Sequence, residues 1–204
     1  MDKYIDLHSD LFIEKSTRGI VLDNVNMLKV LAFPVLKVNN AVANGEFLDS
    51  TGWTAAAGTV SMANKTASLI GDGASAVIQL NSSIFSKAIP SNRKVYVRVS
   101  TKPNEAQKRI FFRLAITAVG SSTIDVVTPI ALPIGQYTHI SNVVTTPIAY
   151  DSGIPYFYVQ PEYIDAATQN GKTFDVQKVL IIDLTDFFGV GNEPTKEIMD
   201  KLLL

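Results

Sequence analysis

Two histidines, His8 and His139, are the only imidazoles in the chain, and there is no cysteine. Nucleophilic chemistry therefore has no thiol to draw on, and no Gly-x-Ser-x-Gly elbow presents an activated serine. His139 sits in the alternating run Tyr137-Thr138-His139-Ile140, the setting of a hydrogen-bonded strand residue, and His8 falls in a segment that stands apart from the main body. Glycoside hydrolysis needs two carboxylates about 5–10 Å apart across a sugar bond. Of the nineteen acidic residues, Glu105, Glu162, Asp165 and Asp175 fall near expected strand ends, where solvated loop charges are the usual outcome. Gly71-Asp72-Gly73 and Gly189-Val190-Gly191 read as turns without a phosphate-binding lysine, which sets nucleotide binding aside. No catalytic residue is assigned, and neither a cofactor nor a metal is expected.

Binding chemistry is better represented. A sandwich that holds sugar presents aromatic faces together with a few amide or carboxylate groups. The aromatic candidates are Trp53, Tyr96, Tyr137, Tyr150, Tyr156, Tyr158 and Tyr163. Trp53 follows a glycine turn that leads into the body of the fold, so it reads as core. In Pro155-Tyr156-Phe157-Tyr158-Val159-Gln160 the period of two sets Tyr156, Tyr158 and Gln160 on one face and Phe157 and Val159 on the other. With Phe157 inward, Tyr156, Tyr158 and Gln160 line the outer sheet surface and form the expected ligand-binding set. The competing reading is an aromatic strand face covered by a neighbouring subunit.

The elements that must carry these groups are strands. Candidates are 60–63, 67–70, 76–80, 95–101, 110–118, 123–127, 138–144, 155–161 and 173–184, separated by turn residues such as Pro90-Ser91-Asn92 and Asn170-Gly171. In Lys94-Val95-Tyr96-Val97-Arg98-Val99-Ser100 the valines face a core, with Tyr96 and Arg98 on the other side. Short strands at this density predict an all-β, antiparallel jelly-roll sandwich over residues 39–190. Residues 1–38 form an extension with a turn at Lys15-Ser16-Thr17-Arg18-Gly19 and an apolar run from Met27 to Leu36. Residues 191–204 predict a short C-terminal helix packed on the domain or a neighbour, opened by Asn192-Glu193-Pro194-Thr195, with Ile198, Met199, Leu202 and Leu203 as its apolar stripe and Glu197 paired with Lys201.

Eighteen basic and nineteen acidic residues leave a net charge of −1, without the basic face of a nucleic-acid binder. Lys108-Arg109 and Arg93-Lys94 read as isolated, solvated pairs. No apolar run reaches the roughly 20 residues of a membrane span, and the charged start Met1-Asp2-Lys3 is unlike a signal peptide. Synthesis in the cytoplasm without export, and no membrane insertion, are expected.

Two segments carry a resemblance. Asn44-Gly45-Glu46-Phe47-Leu48-Asp49-Ser50-Thr51-Gly52-Trp53 is similar to the opening of jelly rolls of the carbohydrate-binding-module type, with Leu48 where an acidic residue is frequent. Asp165-Ala166-Ala167-Thr168-Gln169-Asn170-Gly171-Lys172, then Ile182-Asp183-Leu184-Thr185 and Phe188-Gly189-Val190-Gly191-Asn192-Glu193-Pro194-Thr195, resembles the ending of such domains in phage tail and prophage structural proteins of Gram-positive bacteria. The resemblance spans Asn44 to about Met199. It implies a virion structural protein, in a tail or other surface appendage, that contacts host cell-surface glycans. Two alternatives are a purely architectural protein that binds other virion proteins and a glycan-cleaving enzyme. Many modules of this kind hold a structural calcium. Here Glu46 and Asp49 stand in the first region, but Gln177 and Lys178 follow Asp175 in the second, and a lysine beside such a site opposes it. Virion proteins and host wall or surface carbohydrate are the expected partners. The apolar run at Met27–Leu36, apolar on both strand faces, predicts a homo-oligomer, and resemblance to phage fibres makes a trimer the expected state.

Overall fold

The computed structural model describes residues 13–22, 28–36, 40–42, 44–82, 85, 88–115, 123–147, 154 and 156–203. The chain separates into two compact units, Met1–Asn39 and Asn40–Leu204. In the first, β1 (Ile13–Leu22) and β2 (Leu28–Leu36) pair antiparallel, from Ile13 opposite Leu36 to Leu22 opposite Leu28. The turn expected at Lys15–Gly19 is instead strand. The register slips between Thr17 and Ile20, so the polar stretch is absorbed as a bulge rather than a reversal.

The second unit is a sandwich of two five-stranded antiparallel sheets. The strands are β3 (Trp53–Ala56), β4 (Gly58–Ala63), β5 (Thr66–Gly71), β6 (Gln79–Ser82), β7 (Lys94–Pro103), β8 (Arg109–Ala115), β9 (Thr123–Asp125), β10 (Thr138–Thr145), β11 (Tyr156–Glu162) and β12 (Thr173–Asp183). One sheet has the order β10-β7-β12-β5-β4 and the other β3-β6-β11-β8-β9. The chain crosses repeatedly between the sheets, as in a jelly roll. Only β3 has no counterpart among the expected strands.

Alternation builds the core. Val95, Val97 and Val99 of β7 face inward as the period predicts, with Leu69, Phe174, Val176 and Ile181 from the same sheet. Leu80, Ile110, Phe112, Leu114, Phe157 and Val159 answer them from the other. Phe47 and Trp53 close one end with ring centroids 4.8 Å apart.

β12 carries a register shift between Gln177 and Leu180 where it passes β7. It pairs with β5 only over Thr173–Val176. Beyond the shift its neighbour is the chain entering the unit. Asn40 donates through Nδ2 to the Val179 carbonyl (2.8 Å) and accepts at Oδ1 from the Ile181 amide (2.9 Å). Ala41 N donates to Ile181 O and Val179 N to Gly45 O, both at 2.8 Å. The approach is so close that a Cβ on Gly45 would lie 2.1 Å from the Val179 carbonyl oxygen.

Three short helices complete the unit: α1 (Ala166–Gln169), α2 (Leu184–Phe188) and α3 (Lys196–Leu202). The outward side of the β10-β7-β12 sheet bears Tyr96 and Ile182, which need cover, and α3 supplies it: Tyr96, Ile182 and Met199 are all buried. Tyr96 donates to Asp200 Oδ1 at 2.7 Å, and Arg98 donates to the Leu203 carbonyl at 2.7 Å. The apolar stripe differs from the expected one. Thr195 is the N-cap, which turns Met199 to the sheet and leaves Ile198 and Leu202 exposed. The i,i+4 ion pair is Lys196–Asp200 at 2.6 Å.

Candidate functional site

The outward face of the β3-β6-β11-β8-β9 sheet gathers the polar and aromatic groups of the unit. Phe157 and Val159 are fully buried in the core, so Tyr156, Tyr158 and Gln160 stand on the outward face, as the alternation predicts. Cross-strand register carries that face across all five strands. Tyr158 lies opposite Asn81 of β6 and Arg113 of β8; Asn81 lies opposite Thr54 of β3, and Arg113 opposite Asp125 of β9. At about 4.8 Å per strand this row is roughly 19 Å long. Beside it, Gln160 opposes Phe111, and Glu162 opposes Arg109.

A stacked cluster occupies the centre of the face. Phe111 is flanked by two guanidinium groups, that of Arg113 at 3.8 Å from the ring centroid and that of Arg109 at 4.7 Å. Such stacking contributes about 0.5–2 kcal/mol per pair, more where water is excluded. Each arginine is also tethered. Arg113 Nε donates to Asp125 Oδ1 at 2.5 Å and its NH1 to Gln160 Oε1 at 3.4 Å. Burial opposes the charge on Arg113, but Asp125 and the Tyr158 hydroxyl raise its pKa overall. Arg109 Nε donates to Glu162 Oε2 at 2.5 Å, and Lys108 Nζ donates to Glu162 Oε1 at 2.9 Å. Those two cations, Lys108 first, hold Glu162 below the ordinary glutamate pKa. Gln79 donates to Asn81 Oδ1.

One expectation for this face needs correction. Tyr158 is buried, with only 1% of its surface exposed, as are its neighbours Asn81 and Phe111. It lies opposite Arg113 in the β11–β8 pair and offers no open ring to solvent. Tyr156 and Gln160 remain partly exposed. Arg109, Phe111 and Arg113 were missing from the expected set. The sign of them in the sequence was the period-two run Arg109-Ile110-Phe111-Phe112-Arg113-Leu114, which sets both arginines on the face of Phe111.

The remaining candidates are placed elsewhere. Trp53 is core, its indole donating to the Asn44 carbonyl at 3.1 Å. Tyr96 lies under α3, and Tyr163 is buried, with burial pushing its hydroxyl up to about 12. Tyr137 is half-exposed on the opposite sheet, with Lys102 Nζ 5.2 Å from its ring centroid. Tyr150 and His8 lie outside the described residues. His139 is exposed on β10, opposite Ser100. Asp175 is tied to Ser68 (2.7 Å) and Lys102 (2.8 Å), Glu105 accepts from Thr173 N (2.9 Å), and Asp165 caps α1. Glu46 pairs with Lys65 at 3.1 Å, and Asp49 accepts from Asn44 and from the Thr51 amide. Among the described residues no three of His, Asp and Glu converge to hold a metal ion.

The residues of the two sequence motifs work inside the fold. Asn44 adopts φ +52° and donates to the carbonyls of Asp49 and Thr51, closing the loop that carries Phe47. Gln169 is fully buried; its Nε2 donates to Ala57 O and its Oε1 accepts from Gly73 N, each at 2.6 Å. Glu193, its side chain 4% exposed, accepts from Thr185 Oγ1 (2.9 Å), Gly191 N (2.9 Å) and Lys94 Nζ (3.3 Å). Burial pushes its pKa up, but these donors and its own amide hold it below the ordinary value. The motif residues thus mark how the sandwich closes.

No protein-family model and no curated protein matches the sequence. Among solved structures, an arabinose-bound α-L-arabinofuranosidase aligns with a TM-score of 0.55 and 14% identity, over 80% of this chain and 29% of that one. The N-terminal cellulose-binding domain of a Cellulomonas fimi β-1,4-glucanase C aligns at 0.49 and 13%, over 71% of this chain and 97% of that one. A family 4 carbohydrate-binding module aligns at 0.46 and 13%, over 65% and 94%. The fold is an all-β sandwich of two antiparallel sheets.

Proposed function

We propose that this chain is a non-catalytic virion structural protein of a phage, in a tail or other surface appendage, whose sandwich binds host cell-surface glycans. The binding surface is the outward face of the β3-β6-β11-β8-β9 sheet. One observation carries the reading: around the guanidinium-stacked Phe111, the face leaves Thr54, Arg109 and Asp125 exposed and Tyr156 and Gln160 partly exposed. Rows of amide, guanidinium and hydroxyl groups beside an aromatic ring suit polyhydroxylated ligands, which need many hydrogen bonds and one apolar contact. The row is long enough for a chain of several sugar rings. The phage setting is supported by the likeness of the second motif, which ends at Phe188–Thr195, to phage tail and prophage structural proteins. A homo-oligomer to which the hairpin unit contributes contacts is supported by the apolar run Met27–Leu36, and a trimer by resemblance to phage fibres.

The test is a pull-down of the full chain by purified cell walls and their released polysaccharides. Tyr156→Ala with Gln160→Ala removes partly exposed groups and is expected to weaken capture roughly tenfold or more with thermal stability retained. Capture unaffected by the double change would move binding off this face. Capture of other virion proteins alone would favour the architectural reading, and sugar release from the walls would reinstate the enzyme. Light scattering checks the oligomer, and a monodisperse monomer would refute it.

A further inference from the structure

The charges on this face are unevenly exposed. Glu162 is sunk, its side chain 14% exposed, while the two cations that converge on it, Lys108 and Arg109, are 55% and 46% exposed. Both carboxylate oxygens are occupied, Oε1 by Lys108 and Oε2 by Arg109. One carboxylate cannot neutralise two cations, so a unit of positive charge remains at the solvent edge, although the chain as a whole carries −1. The second pair on the face, Arg113 with Asp125, is balanced one to one. On the opposite side of the face the outward residues of β3 and β6 are Thr54, Ala56, Gln79 and Asn81, none of them charged. A ligand crossing the strands therefore meets neutral hydrogen-bonding groups at one end and a cationic edge at the other.

We infer that the ligand of this face is a sugar or polyol chain bearing oxyanions, carboxylate or phosphodiester, that docks its charged groups against Lys108 and Arg109. The inference rests on the glycan-binding reading and adds the chemical class. Guanidinium and ammonium groups form their shortest, strongest hydrogen bonds with oxyanions. Stacking on Phe111 holds the Arg109 guanidinium in place, so less side-chain freedom is lost on binding. The excess positive edge also steers an anionic polymer to this face.

The experiment compares matched polymers with the full chain by affinity electrophoresis and calorimetry. One arm pairs polygalacturonate with its methyl ester, the other phosphorylated dextran with dextran. The charged member of at least one pair is expected to bind about fivefold or more tightly at low ionic strength, with the gap closing in about 0.5 M salt. The arm that responds identifies the oxyanion. Lys108→Gln with Arg109→Gln should erase the gap, so that the charged and the neutral member bind the variant equally. Glu162→Gln, which frees both cations, should widen it roughly two- to fivefold; if the double change impairs folding, this variant decides. Equal binding of charged and neutral members, or no gain in Glu162→Gln, overturns the inference and leaves glycan binding standing. No binding of any polymer, or of cell walls, overturns both.

Discussion

Replacing Gln169 tests whether the end motif is a structural clamp. Its side chain is wholly buried and makes two neutral hydrogen bonds at 2.6 Å, to Ala57 O and from Gly73 N, joining the start of β4, the loop after β5 and the end of α1. Gln169→Met keeps most of the volume and removes both bonds. At about 1 kcal/mol for each bond, the loss is about 2 kcal/mol, because Ala57 and Gly73 are only partly buried and water can compensate them in part. Gln169→Ala adds a cavity and should cost a further ~1–2 kcal/mol. For a unit of this size 2 kcal/mol corresponds to roughly 4–8 °C in Tm. Urea unfolding with an unchanged m-value is the assay. A Met variant within about 0.5 kcal/mol of wild type would refute the clamp and reduce Gln169 to a space-filling residue. Equal losses for Met and Ala would place the whole cost in the hydrogen bonds.

Other outcomes follow from the same structure. Gly45→Ala places a Cβ 2.1 Å from a backbone oxygen of β12 and should destabilise by about 3 kcal/mol or more, read by thermal melting. Glu193 and Asp200 have pKa values held below the ordinary 4.5 and 3.8. Their stabilisation is therefore full above those values and lost as pH falls through the lower folded-state ones, so Glu193→Gln should reduce stability at pH 7 and flatten its acid dependence in pH-resolved denaturation. A chain beginning at Asn39 should keep a β-dominated circular-dichroism spectrum, because Asn40 and all that follows form their own compact unit; a helical or unfolded spectrum would contradict this. Replacing His139, exposed on its strand, should leave glycan capture unchanged in the pull-down.

Period-two patterning made the sheets readable, since Val95, Val97 and Val99 could only face one way once Tyr96 and Arg98 faced the other. It likewise set Tyr156, Tyr158 and Gln160 on one face. Patterning does not say how deep an outward residue lies, and Tyr158 is buried by its neighbours on an outward face, which no single strand reveals. Polar composition misled at Lys15–Gly19, where a bulge within a long strand accommodates residues that locally resemble a turn. The stripe of α3 was misassigned by its phase. The helix begins only after Thr195, its cap, and Met199 alone takes the inward position expected to be shared with Ile198 and Leu202. The stacked arginines were passed over because Lys108-Arg109 was read as an adjacent pair, whereas the relevant spacing is Arg109 to Phe111 to Arg113.

The entry of the chain at Asn40 has a mechanical consequence. Tension arriving along the polypeptide from the hairpin unit reaches the sandwich at a side chain bonded to β12 within its irregularity and just beyond it, and β12 lies in the middle of its sheet. The load is passed into an interior strand held by β7 along most of its length, instead of peeling an edge strand away one bond at a time. Unfolding from this end must therefore break the pairing of a central strand before the sheet can open.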